Sequence, residues 1–217
     1  MKHHLCTCVG IAAVTFASMG LLAQTPVGGG TSPDTVRIIQ KIPTLATFKQ
    51  KIASVSSALT GSSRTRDWGV FDVELDVKPP SGMDWVDEAT VTFYVMMENT
   101  RDKTKPPYSF FKLTNKYRDL ERGKRGVSAI MLPTAMARFG DVIGLAVEIS
   151  MTVDGKTVID EKSEQRGELG SRKKWWADAN IIDHANTVKR TGYLVARSQT
   201  PYLIVKPDDF EVEVESK

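Results

Sequence analysis

The sequence predicts an all-β protein, an antiparallel β-sandwich of immunoglobulin-like type with short helical turns. Three observations lead there: seven or more short runs alternate apolar and polar residues, turn signals separate them closely, and no long helix is indicated. The Cys-Trp-Cys pattern of antibody domains is missing, so strand number and spacing carry the assignment, and a small barrel is the alternative.

The run Arg66 to Lys78 is the expected central strand. Phe71, Val73, Leu75 and Val77 fall on one side of an extended backbone, and Asp72, Glu74, Asp76 and Lys78 on the other. Each buried apolar side chain contributes roughly 1.5–3 kcal/mol, so a slip of one residue would forfeit about four such contributions and turn carboxylates inward. Pro79-Pro80-Ser81-Gly82 ends the strand, since proline cannot donate to a ladder.

Before it, Val36, Ile38, Ile39 and Ile42 precede Pro43. Leu45, Phe48, Ile52, Val55 and Leu59 then recur at helical spacing. The Ser-rich, β-branched composition of 52–58 opposes a helix, and a strand over Lys51 to Ala58 is favoured as the first partner of the central strand. After the prolines, Glu88 to Asn99, Tyr108 to Tyr117 and Val127 to Leu132 read as strands, the last two separated by a strongly charged connection. Pro133 to Phe139 suits a single helical turn with proline at its start. Asp141 to Val153 alternates most cleanly, with Ile143, Leu145, Val147, Ile149, Met151 and Val153 on one face and small or polar residues on the other. Asp154-Gly155 is a hairpin signal leading to a return strand from Lys156 to Ser163. Farther on, Asp178 to Val188 is a candidate short helix, and Gly192 to Arg197, Tyr202 to Lys206 and Phe210 to Val214 read as short extended pieces.

The chain has 217 residues and a formal net charge of +3. Met1-Lys2-His3-His4 followed by an uncharged apolar run ending in Leu21-Leu22-Ala23 has the form of a secretory signal peptide, so residues 1–23 are expected to direct export and be cleaved after Ala23. A retained membrane anchor is the alternative. The expected location is the periplasm, the outer membrane or the cell surface. Cys6 and Cys8 both lie in that segment, which leaves about 190 residues with no disulfide and with packing as the source of stability. Gln24 to Asp34 is rich in Gly, Pro and Thr. Residues 24–50 therefore read as a flexible linker and N-terminal arm, and 51–217 as the sandwich domain with a C-terminal extension. Near-balanced charge argues against a nucleic-acid partner.

No catalytic or metal motif stands out, and no cofactor is called for. Asp72, Glu74 and Asp76 share a strand face, which a solvated surface explains as well as a cation would. His184 remains the one histidine after the signal; nothing near it in sequence supplies a nucleophile and an orienting acid, and a sandwich of this size offers no evident cleft. Lys116, Arg118, Arg122, Lys124 and Arg125 beside Phe110, Phe111 and Tyr117 suggest a basic edge, read chiefly as protection of an edge strand. Lys173, Lys174, Trp175 and Trp176 form the candidate binding surface. If extended, this segment sends adjacent residues to opposite faces, so at most one tryptophan enters the core and the other lies at a surface or under the C-terminal segment.

Several segments together resemble a known family. They are Lys51-Ile-Ala-Ser-Val, Trp68-Gly-Val-Phe-Asp-Val-Glu-Leu, Trp85-Val-Asp-Glu with Thr92-Phe-Tyr-Val, Gly192-Tyr-Leu, and Arg197-Ser-Gln-Thr-Pro-Tyr. The chain is similar to the pilus-like secreted proteins of verrucomicrobial gut mucin degraders, encoded with type IV pilus genes. The resemblance implies an immunoglobulin-like fold related to archaeal type IV pilus subunits, a surface setting, and a role in pilus assembly or host contact. One departure is that a pilin keeps an N-terminal helix with an early Glu, whereas the first Glu here is Glu74. The expected function is a secreted, non-enzymatic assembly component that contacts pilus-associated or envelope proteins or further copies of itself. The alternative is an adhesin module for mucin glycans.

Overall fold

The central strand forms where alternation placed it, as β3 (Thr65–Val77), with Phe71, Val73, Leu75 and Val77 all buried. The structure is a computed structural model and describes residues 36–38, 49–53, 65–102, 106–153, 156–204 and 211–217, all within one unit, Ser32–Lys217.

The strands are β1 (Val36–Ile38), β2 (Lys49–Ala53), β3, β4 (Trp85–Glu98), β5 (Tyr108–Glu121), β6 (Gly123–Met131), β7 (Asp141–Val153), β8 (Lys156–Gly167), β9 (Thr187–Arg190), β10 (Leu194–Ala196) and β11 (Glu215–Ser216). Helix α1 (Pro133–Arg138) and helix α2 (Ala179–Ile182) are single turns. Among the described residues, one sheet runs β1-β3-β6-β10 with β2 also on β3, and the other runs β11-β5-β4-β7-β8 with β9 also on β5. Pairing is antiparallel except between β5 and β9. The all-β sandwich expected from the sequence is therefore the observed architecture.

The inner faces close on one another. Phe71, Val73, Leu75, Val127 and Ala129 of the first sheet share a cluster with Val91, Phe93, Val95, Leu113, Val147 and Ile149 of the second. One polar group is enclosed there: Asn115 on β5 donates from Nδ2 to the Tyr117 hydroxyl and to the Ser128 carbonyl on β6, both at 3.3 Å, tying one sheet to the other. Burial pushes the Tyr117 hydroxyl far above its usual range, so it stays protonated and able to donate.

Several boundaries differ from expectation. β1 and the start of β2 lie in the stretch read as an arm, and both pair with β3. Of the strand expected over 51–58, β2 covers 51–53, and 54–58 lie outside the described residues, as does the Asp154-Gly155 turn. The charged connection expected after Tyr117 is mostly strand: β5 continues to Glu121 and the chain crosses to the other sheet at Gly123, whose φ of 114° suits glycine. Pro201–Ile204 is a 3₁₀ turn rather than an extended piece, because Tyr202 folds back onto Val70 and Ile130 on the outer face of the first sheet.

Candidate functional site

The outer face of the second sheet is set by period-two alternation. Thr92, Tyr94 and Met96 on β4 point away from the core, as do Phe110 and Lys112 on β5 and Gly144, Ala146 and Glu148 on β7. The register brings them together, with Tyr94 opposite Lys112 on one side and Ala146 on the other. Residues 167–191 then fold over part of this face as two 3₁₀ turns, α2 and β9.

Both tryptophans of the candidate surface are buried beneath that cover, Trp175 at 0% and Trp176 at 4% exposure, which corrects the expectation that at most one could be. The reason is local geometry. Lys174 adopts a left-handed conformation (φ 49°), and Trp175–Ala177 is a 3₁₀ turn, in which neighbouring side chains are separated by about 120° rather than 180°. Both rings therefore reach the sheet. They pack edge to face at 5.8 Å, and Trp175 meets Phe110 at 6.3 Å. They form a cluster with Met96, Phe110, Ile143 and Ala146, and no described C-terminal residue belongs to it. Lys173 and Lys174 remain exposed.

The edge of this cover and the adjoining sheet face form a groove of about 530 Å³. Tyr94, Lys112, Glu148, Lys174, Trp176 and Arg190 line it, with Ile182 and Lys189 beside them. Phe110, Tyr94 and Trp176 make a row of nearly parallel rings, with centroids 6.2 and 5.9 Å apart. The Tyr94 hydroxyl donates to Glu148 Oε2 at 2.7 Å, the Lys112 ammonium lies 5.9 Å from the Tyr94 ring centre, and Lys189 pairs with Asp183 at 2.5 Å. Two N–H donors of the lining, Trp176 Nε1 and Arg190 Nε, are buried without a hydrogen-bond acceptor. A buried donor in that state costs about 1–3 kcal/mol.

A second cleft, of about 300 Å³, lies where the cover meets the ends of β4 and β5. It gathers Glu98, Tyr108, Glu168, Arg172, His184 and Thr187. Neither depression is visible in the order of residues, because the covering segment creates both. Negative charge on Glu98, followed by burial, raises the Tyr108 hydroxyl above its ordinary range. Exposed His184 accepts from the Asn186 backbone N–H at Nδ1 over 3.1 Å, and the Thr187 hydroxyl donates to the Ile181 carbonyl at 2.9 Å. The Thr187 hydroxyl is thus engaged with the backbone.

The other expected constellations resolve into ion pairs. Glu74 meets Lys124 at 3.3 Å, Asp76 meets Lys78 at 3.0 Å, and no cluster of acids, cysteines and histidines fit for a metal occurs among the described residues. Of the basic residues expected to guard an edge, Lys116 and Arg118 lie on β5, Lys124 and Arg125 on β6, and Arg122 between them. Lys116 pairs with Glu88 and Glu215, and Arg125 with Glu121 and Glu211, while Phe110, Phe111 and Tyr117 are buried.

A family model matches residues 41–217, most of the chain. The chain belongs to that family, the verrucomicrobial pilus-like group its sequence resembles. A crystal structure from Akkermansia muciniphila is similar in fold, with a TM-score of 0.59 at 20% identity, covering 83% of this chain and 94% of that one. No curated protein matches it. The matched region begins beyond the apolar leader and β1, and takes in the other strands of both sheets, the covering segment and residues 211–217.

Proposed function

We propose that this member of the family is a secreted, non-enzymatic assembly component of a type IV pilus-like surface system, acting through protein contacts. The observation that carries the reading is the C-terminal strap, residues 211–217, which reaches from one sheet to the other. Glu211 N donates to the Gly126 carbonyl on β6, and the Lys217 N–H and carbonyl pair with Thr114 on β5 at 2.8 Å each.

Along this strap the usual order of burial is inverted. Glu211 lies against Arg125 at 3.4 Å, Glu213 accepts from the backbone N–H groups of Arg197 and Ser198, and Glu215 meets Lys116 at 3.5 Å. The alternating Val212 and Val214 are turned outward, 60% and 55% exposed. Acids held inward by cations, with valines presented to solvent, suit a strand waiting for a neighbouring protein surface. The apolar leader and the family supply the setting.

Size-exclusion chromatography with light scattering, paired with pull-down from the native envelope, tests this reading. The expected result is self-association or capture of envelope proteins that Val212→Glu with Val214→Glu weakens while the melting temperature is kept. A strict monomer that captures nothing, or association untouched by both substitutions, overturns it.

A further inference from the structure

We propose that the seam between β5 and β6 is a docking site for the strap of a second copy, residues 211–217, so that neighbouring chains link by exchanging straps. The inference rests on the assembly role proposed above and names its partner and its contact. Polar groups hold the strap in its own seam. The Glu211 N–H donates to the Gly126 carbonyl, the Val214 N–H to the Lys116 carbonyl, and Lys217 pairs with Thr114 through both backbone groups. Acids at every second position each meet donors: Glu211 meets Arg125, Glu213 the N–H groups of Arg197 and Ser198, and Glu215 the Lys116 ammonium.

Such a strap can leave without opening the core. None of its residues belongs to a buried hydrophobic cluster among the described residues, whereas the cover over the second sheet is anchored by Trp175 and Trp176. What release breaks is ion pairs and hydrogen bonds, which water and salt replace. The seam selects its occupant by spacing and charge: donors stand opposite acids at the first, third and fifth positions of a strand, and a second copy carries that same order. Exchange therefore breaks and remakes identical contacts, the low-cost route by which one chain completes another. A chain's own strap competes through its high effective concentration, so exchange is favoured where copies are held side by side. The six residues between Ile204 and Glu211 span at most about 25 Å, which keeps the donating body close to the receiving seam. Val212 and Val214, outward on the strap, then face the donor.

Cross-linking between two differently tagged chains, one with Thr114→Cys and the other with Lys217→Cys, tests the proposal. Each also carries Cys6→Ser and Cys8→Ser, which removes the native thiols. Residues paired through both backbone groups have Cα atoms about 5.5 Å apart, a separation that a disulfide spans. When the two chains are mixed under mild oxidation, a non-reducing gel is expected to show at least about tenfold more of the mixed dimer than of either homodimer. A second pair of variants reads the charge code without thiols. Arg125→Glu and Glu211→Arg each set like charges against each other in their own seam, and opposite charges meet only when straps pass between the two chains. Light scattering is expected to show the mixture associating at least about tenfold more strongly than either variant alone. Homodimers in equal yield, or a mixture of the charge variants no more associated than its components, overturns the exchange. Self-association of the parent chain without mixed cross-links overturns the exchange alone and leaves the assembly role standing, whereas a strict monomer overturns both.

Discussion

Gly144 on β7 lies directly beneath Trp175: a Cβ at residue 144 would come within 3.0 Å of the indole Cζ2 and 3.1 Å of Leu169 Cδ1. Trp175 is itself wedged against Phe110 and Trp176, so the ring has no direction in which to give. Gly144→Val is expected to destabilise by about 1–3 kcal/mol through overpacking, and Gly144→Ala by less. Urea unfolding followed by tryptophan fluorescence checks this; a valine variant as stable as the parent would show that the cover floats free of the sheet.

The core register gives a second expectation. Phe71 is fully buried opposite Ala129, whereas Glu74 is half-buried in an ion pair with Lys124. Phe71→Asp should abolish folding, since an unpaired carboxylate would enter the sandwich, and Glu74→Gln should cost less than about 1 kcal/mol. Circular dichroism melts of the two variants decide it, and equal losses would contradict the register.

These relationships differ in how far the amino-acid order reveals them. β7 was legible from Leu145 to Val153 because those apolar residues contrast sharply with the small and polar ones between them, and β3 was legible for the same reason; Ile143, expected on that same face, instead lies in the cluster beneath the cover while Val142 enters the core, because the pairing with β4 is irregular between Met96 and Met97. Trp175 and Trp176 were misread because strand geometry was applied to a 3₁₀ turn. A signal for their burial did exist: Gly144 and Ala146 leave a hollow on the outer face that large rings elsewhere in the chain must fill. Of the groove, only Lys174 and Trp176 belonged to the surface marked from sequence. Tyr94, Lys112 and Glu148 sit on three strands and meet only through their register, which alternation within one strand does not reveal.

Glu211 gives a pH-dependent expectation. Burial raises its carboxyl above the ordinary range, against the opposing pull of Arg125. A carboxyl raised in the folded state favours folding when protonated, and that contribution is lost as pH rises through the folded value. Glu211→Gln should therefore stabilise the protein relative to the parent at pH 7 and leave it nearly unchanged at pH 4. Paired melts at the two pH values check this; an advantage for the variant at pH 4 alone would reverse the assigned sign.

Glu213 supplies the last test, because its carboxylate joins the strap to the turn over the first sheet. Its Oε1 accepts from the Arg197 N–H at 3.2 Å and Oε2 from the Ser198 N–H at 3.3 Å, at the start of the 3₁₀ turn Arg197–Gln199. That turn positions the buried Arg197, which donates from Nε to the Tyr202 carbonyl at 3.3 Å and lies over the Tyr202 ring. Hydrogen bonds to a charged acceptor contribute about 1.5–3 kcal/mol, so Glu213→Ala should lower stability by roughly that amount. Glu213→Gln keeps one acceptor oxygen and should retain part of it. Amide exchange should quicken at residues 197–203 in the alanine variant while β3 and β7 stay protected. Uniform acceleration across both sheets would mean that the strap supports the whole sandwich and not this corner alone.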